Sequence, residues 1–152
     1  MTVKRVNIRD LGDVLKRDFE HLEKRISGAI KRTAERAAKV VADAAPLAWG
    51  ELKHSVHVEP TRDGARIVAS APHAGRVENG TPPGTFVDLD KLTAWVIVKG
   101  IADDEDVARS IARRVQHKIL REGVAPTFFV LGTVPEVMAL LHDEIGSALK
   151  EI

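Results

Sequence analysis

The sequence lacks cysteine and tyrosine, and each absence excludes a class of site. Its 152 residues include only two tryptophans and four phenylalanines as aromatic side chains. Without thiols there is no disulfide, thiolate nucleophile or thiolate metal ligand, so a metal would need histidine or carboxylate ligands. With so few aromatic rings, we do not expect a platform on which the bases of single-stranded nucleic acid stack.

The chain also lacks an excess of charge of one sign and a long apolar run. Its 23 basic and 22 acidic side chains give a formal net charge of +1, so the whole protein has no strong field to attract nucleic acid. This net charge does not exclude a basic face on one part of the surface. No apolar run approaches the roughly 18 to 20 residues of a membrane span, and Met1 to Asn7 contain no apolar signal segment. We therefore expect a soluble protein with no membrane partner, kept in the cytoplasm where it is made.

What is present is the composition of one folded domain. Hydrophobic residues make up 44% of the chain and charged residues 30%, which is typical of a globular protein, and 152 residues suit a single hydrophobic core. We expect one domain over residues 1–152. Its fold class is predicted as α+β, with a long N-terminal helix, a small antiparallel β-sheet, two central helices and a C-terminal helix.

The first prediction is an unusually long helix. From Ile8 to about Ala45, apolar residues recur at steps of three and four, the spacing of one helical face, and Pro46 ends the pattern. About 35 residues at 1.5 Å each would reach roughly 50 Å, which exceeds the width of a compact domain of this size. One end of the helix is therefore expected to project or to pack on a neighbouring subunit.

A β-hairpin is predicted next. Leu52–Glu59 and Ala65–Ser70 alternate in part, and the connection ends in Asp63-Gly64, which has hairpin-turn chemistry. His54 and His57 would then point to opposite faces of a strand, so the pair is not expected to bind a metal.

The remaining segments alternate between helices and loops. Prolines and glycines mark the loops, and acidic or hydroxyl residues at helix starts mark the caps. The predicted segments are a short helix over Pro72–Asn79, an exposed stiff loop over Thr81–Thr85, a helix capped by Asp88 or Asp90 and ending near Lys99, a helix from Asp103 to Gly123, a strand or extended arm over Val124–Gly132, and a last helix with a capping box of Thr133 and Glu136.

Few residues suggest chemistry. His73 and Glu78 lie beside a loop and are acid-base candidates, yet no nucleophile, second carboxylate or phosphate-binding loop accompanies them. The acidic run Asp103–Asp106 lacks the ligand spacing of a calcium loop and is better explained as a helix start. We therefore expect no enzyme activity, no metal site and no cofactor.

The helix near residues 104–122 supports an alternative. Its residues Arg109, Arg113, Arg114 and Lys118 lie mainly off the apolar face and form a basic surface. Such a surface can contact phosphates, so a DNA-binding accessory protein is the alternative function.

Three short signatures resemble the head-to-tail joining proteins of long-tailed bacteriophages and prophages, which are also described as neck, tail-completion or minor capsid proteins. The first is Ala44-Ala45-Pro46 followed by Gly50 to Val56. The second is Ala71-Pro72-His73-Ala74 with Val77-Glu78-Asn79-Gly80-Thr81, where His73 stands at a position that is usually aromatic. The third is Gly123 to Phe129 before a final helix.

This resemblance implies a virion structural subunit and transfers no catalytic residue. It implies a homo-oligomeric ring of about six or twelve copies that joins head to tail or completes the head-proximal end of the tail. The expected partners are other neck, connector or tail-tube proteins, with DNA at most passing through the channel. The expected location is a virion or phage-like particle that assembles in the cytoplasm of the bacterial host.

Nine residues are the predicted contacts with other subunits. They belong to the second signature, the stiff loop after it, and the aromatic pair of the third signature, which would place one phenylalanine inward and the other outward on an extended segment. These candidates are Pro72, His73, Glu78, Gly80, Thr81, Pro82, Pro83, Phe128 and Phe129.

Overall fold

One long helix organises the fold. The computed structural model describes residues 8–46 and 50–150, and the predicted α+β class is confirmed. In chain order, its elements are α1 (Ile8–Ala44), α2 (Glu51–His54), β1 (Val56–Thr61), β2 (Gly64–Ala69), α3 (Ala74–Asn79), α4 (Leu89–Val98), α5 (Glu105–Glu122), a 3-10 turn (Leu131–Thr133) and α6 (Val134–Lys150).

The second half of α1 is the centre of the main core. Its buried positions Ala29, Thr33, Ala37 and Val41 recur every four residues, so they lie on one face of the helix. Because most of these side chains are small, α6 and the β-hairpin can both approach α1 closely. The prediction of a long helix with an alanine-rich packing face is confirmed.

The first turns of α1 have no such cover. Every residue from 11 to 21 is exposed, and the apolar stripe of this stretch continues into solvent. The exposed stripe, which we call the α1 arm, contains Leu11, Leu15 and Phe19, which are 49%, 48% and 68% exposed. The predicted projection of one helix end is therefore confirmed.

The β-hairpin is shorter than predicted. Strands β1 and β2 pair antiparallel, with Val58 opposite Ile67 and a two-residue turn at positions 62 and 63. Residues 52–54 were expected to begin the strand and instead belong to α2, because Gly50 takes a left-handed conformation at φ +75° and turns the chain into a helix. His54 lies on this helix, and the prediction that it shares a strand with His57 is wrong.

Helices α4 and α5 form a second packing unit. Asp88 caps α4 by accepting from the amides of Asp90 and Lys91, and Asp104 caps α5 by accepting from the amide of Val107. The pair has its own buried cluster, built from Val96, Ala108 and Ala112. The sequence predicted both helices and their acidic starts correctly.

Two predictions near the C-terminus are wrong. The segment 124–132 is not a strand, since only Val124 makes a bridge. It is not a continuous extended arm either, since residues 129 and 130 form a turn and Leu131–Thr133 form a 3-10 helix. The expected capping box of Thr133 and Glu136 does not form, because the Thr133 hydroxyl donates to the carbonyl of Val130 instead.

The accessible surface is large for the mass of the chain. It measures 11,386 Å², whereas a compact monomer of this mass has roughly 7,600 Å². If the residues outside the described ranges are counted as fully extended, about 2,300 Å² of excess still remains. The excess reflects the uncovered α1 arm and the separate α4–α5 pair.

We predict that one carboxylate makes the packing of α6 on α1 pH-dependent. Glu144 accepts hydrogen bonds from Arg32 at 3.0 Å and Arg36 at 2.9 Å, and these two guanidinium groups lower the pKa of its carboxyl below the ordinary value of 4.5. A pKa lowered by folding means that this carboxylate stabilises the folded chain above the unfolded pKa, and that the contribution is lost as the pH falls through the folded pKa.

Glu144→Gln should therefore lower the thermal midpoint at pH 7, and its difference from the wild type should shrink as the pH falls below 4.5. Thermal unfolding over a pH series measures this, with Asp143→Asn on the exposed side of the same helix as the control. A deficit that is equal at every pH would contradict the prediction.

Candidate subunit interface

The three signatures of the sequence meet in one buried cluster. The first contributes Ala45 and Leu52, the second Ala71 and Ala74, and the third Phe129, all less than 9% exposed. Residues as far apart as 45 and 129 are therefore neighbours in space. This convergence gives the signatures a packing reason and places them together as one structural unit.

The second and third signatures also touch through their backbones. Thr81 and Val124 exchange two amide-to-carbonyl hydrogen bonds of 2.9 Å each, and Gly80 and Gly123 precede them on the two strands of chain. A β-carbon on Gly80 would lie 2.3 Å from the carbonyl oxygen of Val124, and one on Gly123 would lie 2.2 Å from that of Thr81. We call this reciprocal contact the glycine clasp.

The clasp requires glycine for a second reason. Gly80 has φ +72° and ψ −171°, and Gly123 has φ +75° and ψ −163°, a region of backbone conformation that only glycine occupies readily. Both the close approach and the conformation exclude a side chain. The clasp is the point where the chain leaves the main core for the α4–α5 pair and returns from it.

Glu78 has a structural partner inside the subunit. Its two carboxylate oxygens accept from the amides of Val130 and Leu131, each at 2.9 Å, and the preceding carbonyl of Val77 accepts from both the amide and the hydroxyl of Thr127. These bonds hold the third signature against α3. Among the described residues, no hydrogen bond or ion pair joins Glu78 to His73, the other acid-base candidate.

The two phenylalanines of the third signature face opposite ways. Phe129 is 4% exposed and lies in the main core, while Phe128 is 47% exposed, which confirms that one points inward and the other outward. The cause is a turn rather than strand alternation, because Phe128 has φ +50° and its carbonyl accepts from the amide of Gly132. A bulky residue in this conformation is uncommon and is a reason to look for function.

The predicted contact residues thus separate into groups. Glu78, Gly80 and Phe129 are used inside the subunit, and His73 and Thr81 are half-buried. The exposed members are available to a neighbour, and their role in an interface stays a prediction. They are Pro72, Pro82, Pro83 and Phe128.

Sequence reasoning missed an apolar surface around Phe128. Four further large side chains on the 3-10 turn and the start of α6 are between 37% and 61% exposed, namely Val130, Leu131, Val134 and Met138. Helical periodicity predicts that such residues face a core, but here no described element covers them. The sequence carried no signal for this surface, because the positive φ of Phe128 is visible only in the structure.

The basic residues of α5 are only partly neutralised. Arg109 pairs with Asp90 at 3.0 Å, and Arg121 pairs with Glu122, whose pKa it lowers. Arg114 and Lys118 are exposed, and the charge of Lys118 also contributes to the lowered pKa of Glu122. The basic face proposed from the sequence therefore exists on the surface.

The imidazoles do not form a metal site within the described ranges. His54 is within hydrogen-bond distance of the Gly50 carbonyl at 2.6 Å, and His57 of the Ser55 carbonyl at 2.9 Å. The second contact, with a smaller contribution from Glu59, raises the pKa of His57. Over residues 8–46 and 50–150, no three histidine or carboxylate side chains are close enough together to bind one ion.

We predict that replacing a glycine of the clasp by a residue with a side chain lowers the free energy of unfolding. Gly123→Ala should destabilise the protein by about 2 to 5 kcal/mol, the sum of a strained conformation and an overpacked contact. Gly84→Ala is the matched control, since Gly84 also has a positive φ of +88° but an added β-carbon there would meet nothing within 4 Å. It should cost only about 1 to 2 kcal/mol. Equal urea midpoints for the two variants would contradict a steric role for the clasp.

A second prediction separates the two phenylalanines. Phe129→Ala should lower the free energy of unfolding by about 3 to 5 kcal/mol because it leaves a cavity in the core. Phe128→Ala should change it by much less and should instead reduce association with other subunits. Urea unfolding and mass measurement of each variant test this. If both variants lose the same stability, and association follows stability alone, Phe128 is not a contact residue.

Comparison with known proteins identifies no relative of this chain. No protein-family model, curated protein or solved structure matches the chain.

None of the helices formed by the described residues has the length and apolar character of a membrane span.

Proposed function

We propose that this chain is a structural subunit of the neck of a tailed bacteriophage or of a phage-derived particle. In this role it forms a ring that joins head to tail or completes the head-proximal end of the tail. The protein supplies surfaces for assembly, and no described group of side chains is assigned a chemical step. Its proposed location is the assembled particle, and its proposed partners are copies of itself and other neck, connector or tail-tube proteins.

The observation that carries this proposal is the amount of uncovered surface. The excess of at least about 2,300 Å² over a compact monomer lies in the range that obligate subunit interfaces bury. Large apolar side chains are exposed at separate places, on the α1 arm, around Phe128 and at the turn between α4 and α5. A single chain gains nothing from such exposure, whereas a subunit with several neighbours uses it.

The signatures support this particular kind of assembly. They were recognised as separate motifs, and the structure brings them into one core and one backbone clasp. Their meeting in one core agrees with the single fold that the resemblance implies.

The test is made in a bacterium that encodes the protein. Deleting the gene from its prophage and imaging the induced particles should show heads and tails that no longer join, and wild-type protein supplied in trans should restore joining. A tag on the supplied protein should lie at the junction when it is labelled for electron microscopy. Normal particles after deletion would overturn the proposed function.

A second candidate is a DNA-binding accessory protein, which the exposed basic side chains of Arg114 and Lys118 favour. This function predicts an affinity for duplex DNA that falls steeply between low and physiological salt, as phosphate contacts do. A filter-binding titration at two salt concentrations separates it from the neck role, for which little DNA affinity is expected.

A further inference from the structure

The turn between α4 and α5 presents an apolar projection. Val98 at the end of α4, Ile101 in the turn and Val107 in the first turn of α5 are 58%, 51% and 51% exposed. We call these three residues the apolar knob. Four exposed acidic side chains, Asp103 to Asp106, fall between Ile101 and Val107, and one exposed lysine, Lys99, falls between Val98 and Ile101.

An apolar groove lies on the same pair of helices. It has a volume of about 610 Å³ and runs between α4, α5 and the segment that follows the clasp. Its walls are mainly apolar and include Leu92, Trp95, Val115, Ile119 and Val124. No described element fills it.

The charges beside the groove are opposite to those beside the knob. Lys118 and Glu122 line the groove, and Arg114 and Arg121 lie four residues before and three residues after Lys118 on the same face of α5. Glu122 pairs with Arg121, so the groove side keeps the positive charges of Arg114 and Lys118. One helix therefore carries an acidic end next to an apolar knob and a basic row next to an apolar groove. The two features complement each other in both polarity and charge.

One subunit cannot dock its own apolar knob into its own apolar groove. On α5, Val107 of the knob and Val115 of the groove are eight residues, about 12 Å, apart on one continuous helix, so the knob cannot fold back into the groove of its own subunit. We infer that the knob of one copy, with Asp103 and Asp106 beside it, docks into the groove of a second copy beside Arg114 and Lys118.

This contact gives the proposed ring a direction. The two surfaces are different, so the contact is head-to-tail, and a head-to-tail contact closes into a ring when its rotation permits. The inference rests on the proposed neck function for its biological meaning, but its chemistry is that of a second copy of this chain. Acidic against basic surfaces steer the approach, and the apolar knob supplies the buried area.

The experiment exchanges the charges. One full-length variant carries Asp103→Lys and Asp106→Lys, which leaves the Asp104 cap intact, and the other carries Arg114→Glu and Lys118→Glu. Two control variants carry the same charge changes elsewhere in the chain. One carries Glu35→Lys with Asp63→Lys, and the other carries Arg62→Glu with Arg66→Glu. Self-association is followed by mass photometry and analytical ultracentrifugation at low and high salt.

The expected result is that each docking variant associates at least about tenfold more weakly than the wild type while both controls associate normally. An equimolar mixture of the two docking variants should regain association, as should a chain that carries all four changes. Rescue is the decisive measurement, because a variant that merely lost helix stability would not be rescued by a second charge reversal.

Two results would overturn the inference. Wild-type protein that stays monomeric at high concentration and low salt would do so, as would association that neither docking variant changes. The same variants are then supplied to the prophage from which the gene has been deleted. This separates failure of the docking inference from failure of the proposed neck function. Head-to-tail joining that is restored equally by wild type and both variants would leave the neck function standing with its contact elsewhere.

The DNA-binding alternative predicts changes in DNA affinity for both docking variants. If Arg114 and Lys118 serve duplex DNA, the lysine substitutions at Asp103 and Asp106 should strengthen DNA binding, and the glutamates at 114 and 118 should abolish it. Such a pair of results, measured with a duplex oligonucleotide, would overturn docking between copies.

Discussion

The architecture depends on the glycine clasp. At this one place, two strands of chain pass close enough for a β-carbon to collide with backbone, and the hydrogen bonds between Thr81 and Val124 hold them there. Everything between the two glycines folds on its own buried cluster around Val96. Outside them, α2, the β-hairpin and α6 pack on α1. The clasp sets where the α4–α5 pair stands relative to the main core, and so where its knob and groove are presented.

The sequence predicted the elements whose causes are local. The long helix, the cap at Asp88 or Asp90, the acidic helix start at Asp103–Asp106, and the helix ends near Lys99 and at Gly123 follow from periodicity and from the hydrogen-bonding needs of helix termini. The hairpin was placed correctly but begun too early, because the alternation around Leu52 also fits a single helical turn. A left-handed Gly50 decides between the two, and a sequence alone does not show that conformation.

The candidate interface was less predictable for a physical reason. Whether an apolar face is buried depends on which distant element covers it, and that is fixed by tertiary packing rather than by spacing. Thus Glu78 and Phe129, predicted as contacts, are engaged within the subunit, whereas Val98, Ile101 and Val107 lie in solvent despite a pattern typical of a core. The inward and outward roles of the two phenylalanines were predictable, but not which residue held each role.

The α1 arm has a consequence for how copies combine. Its exposed turns, residues 11–21, receive no support from the rest of the described subunit, and a helical stretch this short is only marginally stable in water without packing. Contact with a neighbour would therefore supply the free energy that fixes the arm as helix. In the proposed ring, each copy would order its own arm against the neighbour that receives it, so the cost of ordering would fall on every step of assembly.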